Sequence, residues 1–390
     1  MINRILILVF ILIVKLNTLS AQYLMEQDSN ILINNMYIQM EVTATVNAIY
    51  NAEHEKAEKD FRWIRYRFPN HPLPYFLYGL NEWWKILPEP QNREYDDRFI
   101  AYMDSAIYYA EKIFEEDESN IEAAFFLAAG HAFKGRLYAE TGSWTKGAFQ
   151  AKSALNYLEL SKGKKDLSPE FLFGDGLYNY YAEWIPENYP ILKPVMRLFD
   201  DGDKELGLKQ LTTVSRTAFY TRTEAQYFLM RILSIEEDKI YEGLQVSEYL
   251  HETFPQNAYF HRFYARLLYS TGKITDAERE CLDIMQAIDS AQTGYGPTSG
   301  RYAGFFLGQI YERQGKTDEA EHYYKRAVSF SEQAEEEEAG YYLYSLLHLG
   351  MIAEKNGNED QAKDYYKKVK KNADRDQSVR KKAKEKLKDL

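Results

Sequence analysis

The chain has 390 residues, 45% of them hydrophobic and 27% charged, which is the balance of a folded protein and excludes a disordered or collagen-like one. Its formal net charge of -11 argues against a nucleic-acid surface, which needs a concentrated basic stripe. Its one cysteine, Cys281, excludes an intramolecular disulfide and a thiolate metal site, and its place on a helix-packing stripe predicts a buried, inert thiol.

Residues 1–21 read as a secretory signal peptide. Arg4 supplies the positive start, Ile5 to Val14 is an unbroken apolar run, and Leu19-Ser20-Ala21 offers a small residue before Gln22. The run is shorter than the roughly 20 residues of a spanning helix, which disfavours the competing reading of an uncleaved anchor. Leu19 is bulky for the position three before the cut, so cleavage after Ser20 is an alternative to cleavage after Ala21. No later stretch is long and apolar enough to span a membrane. The expected mature protein has no transmembrane segment and is periplasmic or secreted.

Residues 22–37 form a lead-in, and 38–219 carry loosely patterned helix pairs. Ala57, Phe61, Ile64 and Pro69 fit the second helix of a first unit. Tyr78-Gly79 opens another, Ala106, Ala110 and Ile113 lie on the helix that packs back, and Pro88 and Pro90 place a loop between them. Residues 122–140 and 144–161 read as a helix pair joined at Thr141-Gly142-Ser143. Gly176 and Asn179 open the next pair, whose second helix, 204–216, starts at Asp203. Between them, Pro186, Pro190 and Pro194 mark residues 184–203 as an insertion that cannot be one continuous helix.

Residues 220–375 repeat clearly. Ala265, Leu268, Gly272, Ala277, Cys281 and Ile284 follow steps of 3, 4, 5, 4 and 3. The same steps join Gly308, Tyr311, Gly315, Ala320, Tyr324 and Ala327, then Gly350, Ala353, Gly357, Ala362, Tyr366 and Val369. Steps of 3 and 4 keep residues on one helix face. The small residue that starts each set permits close helix approach, and the glycine after it suits the left-handed turn that ends a helix. Asp318 and Asn358 are expected to start second helices. Residues 376–390 read as a polar capping helix, and the acidic run Glu335 to Glu338 as a solvated helix start.

These residues resemble the tetratricopeptide repeat family. The resemblance implies an all-α, right-handed superhelical solenoid of about eight helix-turn-helix pairs. The last units recur every 42 or 43 residues against the family's usual 34, which implies longer helices or surface loops. The block Gly176 to Tyr181, with Gly202 to Leu208, is also similar to the centre of tetratricopeptide-39-type proteins. In the family the first helix of each pair lines a concave groove that takes peptides. Carried over, that face holds Tyr259, Arg262, Arg266, Tyr269, Tyr302, Phe305, Gln309 and Tyr344, with Phe76, Leu80, Trp83, Phe173, Leu177 and Tyr180 in the looser units. The expected function is a scaffold binding a protein or peptide of the cell envelope. The alternative is a glycan or small-ligand receptor stacking its ligand on Trp83, Trp84, Tyr180, Tyr181 and Trp184.

Signatures of chemistry are missing. No P-loop, nucleophile elbow, kinase pattern or zinc-protease pattern occurs, so no catalytic residue, cofactor or metal site is expected. A loop containing Pro255 separates His251 from His261, which are not expected to share a metal. Gly174-Asp175-Gly176 follows no strand and is not expected to hold a phosphate. The lysine-rich stretch from Lys363 to Lys388 fits a solvated cap, or else contact with an anionic surface.

Overall fold

The spacing shared by the last units builds one contact twice. Gly308 lies under the ring of Tyr324, where an added Cβ would come within 2.5 Å of the ring, and Gly350 lies likewise under Tyr366. The two phenols donate to Glu312 Oε2 at 2.7 Å and Glu354 Oε2 at 2.9 Å, four residues beyond each glycine. Gly272, Gly315 and Gly357, with φ of +79°, +75° and +76°, turn the chain between the two helices of each pair.

The computed structural model describes residues 32–161, 168–190, 193–197 and 199–390. The signal-peptide reading lies outside them. Among the described residues every regular element is helical. The first pair is α1 (Met36–Tyr50) against α2 (His54–Asp60), which continues into the short α3 (Arg62–Arg67). Then come α4 (Pro72–Ile86) with α5 (Asp96–Glu116), and α6 (Ile121–Glu140) with α7 (Trp144–Ser161). Next, α8 (Phe171–Asn188) pairs with α10 (Lys204–Thr217) across the short α9 (Lys193–Met196). A fifth pair is α11 (Arg222–Arg231), prolonged by a π-turn at Ile232–Glu236, with α12 (Ile240–Thr253). Three regular pairs follow: α13 (Ala258–Ser270) with α14 (Ile274–Asp289), α15 (Pro297–Arg313) with α16 (Thr317–Gln333), and α17 (Gly340–Lys355) with α18 (Glu359–Asn372). The last helix, α19 (Ser378–Asp389), buries Val379 and Ala383 against the final pair. The chain is thus an all-α solenoid of helix pairs, and its long repeat arises because α15 and α16 each run 17 residues.

Several local readings need correction. α8 continues through Pro186 to Asn188, because a proline in the last turn forfeits one hydrogen bond of a ladder that is about to end. Asn358 stands at the start of α18, but its side chain caps nothing, and Asp318 sits inside the first turn of α16. Glu335 to Glu338 form the turn before α17 rather than its start, and Glu336 pairs with the buried Arg301. Part of the C-terminal lysine charge is used internally, since Lys386 bonds Glu354 at 3.0 Å.

The superhelix closes on itself. Trp84 of α4 is fully buried and meets Tyr227, Tyr259 and Phe260 of α11 and α13 edge-on or tilted, at 5.8, 6.5 and 5.0 Å. Its indole donates to Glu224 Oε1 at 2.8 Å, as does the Tyr50 hydroxyl at 3.2 Å. Arg262 of α13 donates to the carbonyls of Pro88 and Leu87 at 2.6 and 3.2 Å. Glu89 receives the Thr298 amide at the start of α15 at 3.0 Å. Buried carboxylates secure other helix starts: Glu170 accepts the amides of Phe219, Tyr220 and Thr221 at 2.6, 3.0 and 2.9 Å ahead of α11.

His54 supplies a pH dependence. Burial holds the imidazole down at about 4 in the folded chain, against about 6.5 unfolded, and outweighs the hydrogen bond to Asn81 Oδ1, 2.9 Å from Nδ1, which acts the other way. The folded state therefore favours the neutral ring, and stability present above pH 6.5 is lost as pH falls toward 4. The expected loss is on the order of 3 kcal/mol. His261, lowered by burial as well, acts in the same direction. Denaturant unfolding at pH 7 and pH 4.5 should show the loss, and His54→Gln should flatten it without abolishing it.

Candidate functional site

α6 and α7 approach through small residues. A Cβ on Gly135 would stand 3.3 Å from the Gly147 carbonyl, and one on Gly147 would stand 3.2 Å from that of Gly135. The same faces carry Ala128, Ala129, Ala132, Ala148 and Ala151, which are too short to reach across to the next pair. α8 instead packs tightly on α10. A Cβ on Gly207 would meet the Tyr180 amide nitrogen at 2.6 Å, and α7 barely touches α8.

The result is a cleft of about 690 Å³ between the α6–α7 pair and the α8–α10 pair, with α4 and α11 behind it. That size lies within the range of small-ligand and peptide pockets. Phe76, Leu77 and Leu80 come from α4, Phe125 and Phe133 from α6, Leu155 and Leu158 from α7, and Phe173, Leu177, Tyr181 and Ile185 from α8. Ala132, Ala148 and Ala151 stay exposed on its wall, and Trp144 is 71% exposed while lining it. Apolar surface this concentrated and this open makes the cleft the candidate interaction site.

Two polar features enter the cleft from the closure contact. Arg136 donates to Tyr227 Oη at 2.5 Å and Glu140 Oε1 at 2.9 Å, and its guanidinium lies 4.7 Å from the Trp83 ring centre. Glu224 keeps Oε2 buried without a hydrogen-bond partner, and burial raises its carboxyl against the opposing effects of Trp84, Arg136 and Tyr50. Burial also pushes the Tyr227 phenol up. The guanidiniums of Arg136 and Arg231 outweigh that and hold it below the ordinary tyrosine value.

The sequence-predicted groove residues divide into groups. Phe76, Leu80, Phe173 and Leu177 line the cleft. Trp83 and Tyr180 are fully buried core residues, which corrects their assignment to an open face, since a side chain without accessible surface cannot meet a partner. Tyr259, Arg262 and Phe305 are buried too. Tyr259 and Arg262 are consumed by the closure contact, while Phe305 packs on Tyr341 at 4.9 Å. The guanidinium of Arg262 lies 4.7 and 5.8 Å from the Tyr259 and Tyr302 ring centres. Arg266, Tyr269, Tyr302, Gln309 and Tyr344 are half-buried on the inner face. Tyr269 donates to Gln309 Oε1 at 2.9 Å, and Gln309 Nε2 meets His348 at 3.1 Å. Tyr344 stands apart, 3.0 Å from Ser378 Oγ at the last helix. The stacking platform imagined for a glycan does not assemble either, because Trp83, Trp84 and Tyr180 are all core.

Sequence reasoning missed Arg136, Glu224 and the alanine wall. The alanines and glycines spaced along 128–151 were the available signal. The two charged residues gain their meaning only from the closure of the superhelix.

Residues 298–374 match the family model described as tetratricopeptide repeat, so this part of the chain carries tetratricopeptide repeats. Among solved structures, the human IFIT1 dimer with PPP-AAAA is 14% identical over 82% of this chain and 69% of that one, with a TM-score of 0.43. The P58(IPK) TPR domain is 10% identical over 90% of this chain and 98% of that one, with a TM-score of 0.22. Overlaps this loose do not transfer a ligand or a role. No curated protein matches the chain.

Arg262 separates a groove residue from a closure residue. Arg262→Met should cost about 2–4 kcal/mol of stability, because two buried carbonyls lose their donor. Urea unfolding measures this.

Proposed function

We propose that this tetratricopeptide repeat chain is an exported binding protein rather than an enzyme, and that its cleft takes an apolar segment of another protein of the cell envelope. The observation that carries the reading is the open apolar cleft of about 690 Å³. Covering its alanine wall and aromatic rim stabilises a complex at roughly 25 cal/mol per Å² of apolar surface removed from water. Arg136, half-buried on the cleft wall, offers a donor to the main chain of the entering segment. Arg136 and Lys152 are the cations of the lining, too few for a nucleic-acid backbone. A second reading, a single acyl-chain ligand, draws on the same walls.

Ala132 is exposed inside the cleft, so Ala132→Trp fills the space at little cost to folding. On an array of peptides from envelope proteins, the mature chain should bind apolar segments, and Ala132→Trp should weaken that binding at least tenfold with an unchanged circular dichroism spectrum. Equal binding by the two proteins sinks the cleft proposal. Native mass spectrometry of the purified chain showing a co-purified lipid would favour the acyl-chain reading instead.

The address rests on Arg4, the apolar run and the small residues before Gln22. Mass spectrometry of the exported protein should find an N-terminus at Gln22 or Ala21. A chain still beginning at Met1 would overturn it.

A further inference from the structure

Away from the cleft, the end of α12 folds back on α13. Pro255 lies in the turn between them, and the fold brings His251 and His261 together instead of holding them apart. Their rings stack at 4.4 Å, and Tyr264 stacks on the outer face of His251 at 5.3 Å. Both Nε2 atoms converge on one oxygen of α14: Glu280 Oε2 lies 3.4 Å from His251 Nε2 and 3.1 Å from His261 Nε2. One ligand atom from each residue lies within 4.8 Å of the others.

We propose that His251, His261 and Glu280 bind one divalent transition-metal ion of the zinc class, which ties together α12, α13 and α14. Zinc sits about 2.0–2.2 Å from imidazole nitrogen and carboxylate oxygen, so adjacent ligand atoms of a tetrahedron stand about 3.4 Å apart. The two nitrogen–oxygen separations already match that edge. The surroundings suit a metal as well. Tyr295 Oη, 2.8 Å from His261 Nδ1, fixes that ring from behind. Arg279 donates to Glu280 Oε1 at 3.0 Å and leaves Oε2 to the imidazoles. His251 Nδ1 is buried without a partner, and the His251 side chain is 17% exposed, which gives the ion an entry. Water completes the coordination. Two neutral imidazoles and a carboxylate are ligands for zinc, nickel, cobalt or ferrous ions rather than for magnesium or calcium.

The test uses the mature chain stripped with EDTA and then titrated with zinc chloride by calorimetry. One ion per chain should bind, and the thermal midpoint should rise. Cobalt(II) at the same site should give visible absorption bands. His251→Ala, at the exposed edge, and Glu280→Gln, which keeps its shape, should each weaken zinc binding at least tenfold and remove the thermal rise, with unchanged circular dichroism in EDTA. If Glu280→Gln fails to fold, His251→Ala alone carries the comparison. The proposal falls if the stripped chain takes up no zinc, or if His251→Ala binds zinc as the parent does.

Discussion

The structure depends on the contact that closes the superhelix. A helix-pair array normally touches only its neighbours. Here Trp84 of the second pair reaches the fifth and sixth, where Tyr227, Tyr259 and Phe260 surround it. A fully buried tryptophan is worth about 3–5 kcal/mol against alanine. Polar groups give the closure its register. Glu224 receives both Trp84 and Tyr50, and Arg262 caps the carbonyls of Leu87 and Pro88. Each of these groups would be costly if left unpaired in the core, so the pairs reach across the ring together.

Closure explains why the recognition surface is not the continuous groove of an open array. The first helices of pairs two, five and six turn their inner faces toward one another and bury them. The pairs between them, α6–α7 and α8–α10, are carried around the outside, and small residues draw each pair tight within itself. The space left between the two tight pairs is the cleft. Part of its polar content comes from the same closure network, because Arg136 and Glu224 belong to both.

The chain past the closure is more regular. From α15 to α18 the glycine-tyrosine-glutamate contact recurs, and from α13 onward half-buried Tyr269, Gln309 and His348 link successive inner helices by hydrogen bonds. The proposed metal site sits where α12 hands over to this half.

Sequence alone determined the helix pairs and their turns. Gly272, Gly315 and Gly357 each occupy a left-handed position that few other residues tolerate, and Asp203 caps α10 through its own side chain. Such constraints act within about 20 residues, so local spacing records them. The cleft was legible only in part. Phe76, Leu80, Phe173 and Leu177 follow from the resemblance to the repeat family, whose inner-face positions they occupy, but nothing near Trp83 in the chain says that closure would bury it. Only the tertiary structure decided that Arg262 would hold carbonyls 174 and 175 residues away, or that His251 and His261 would converge on Glu280. The physical reason is the same in both cases. Phase along a helix is written in neighbouring residues, whereas the curvature that brings pair two onto pairs five and six is the accumulated sum of many small packing angles.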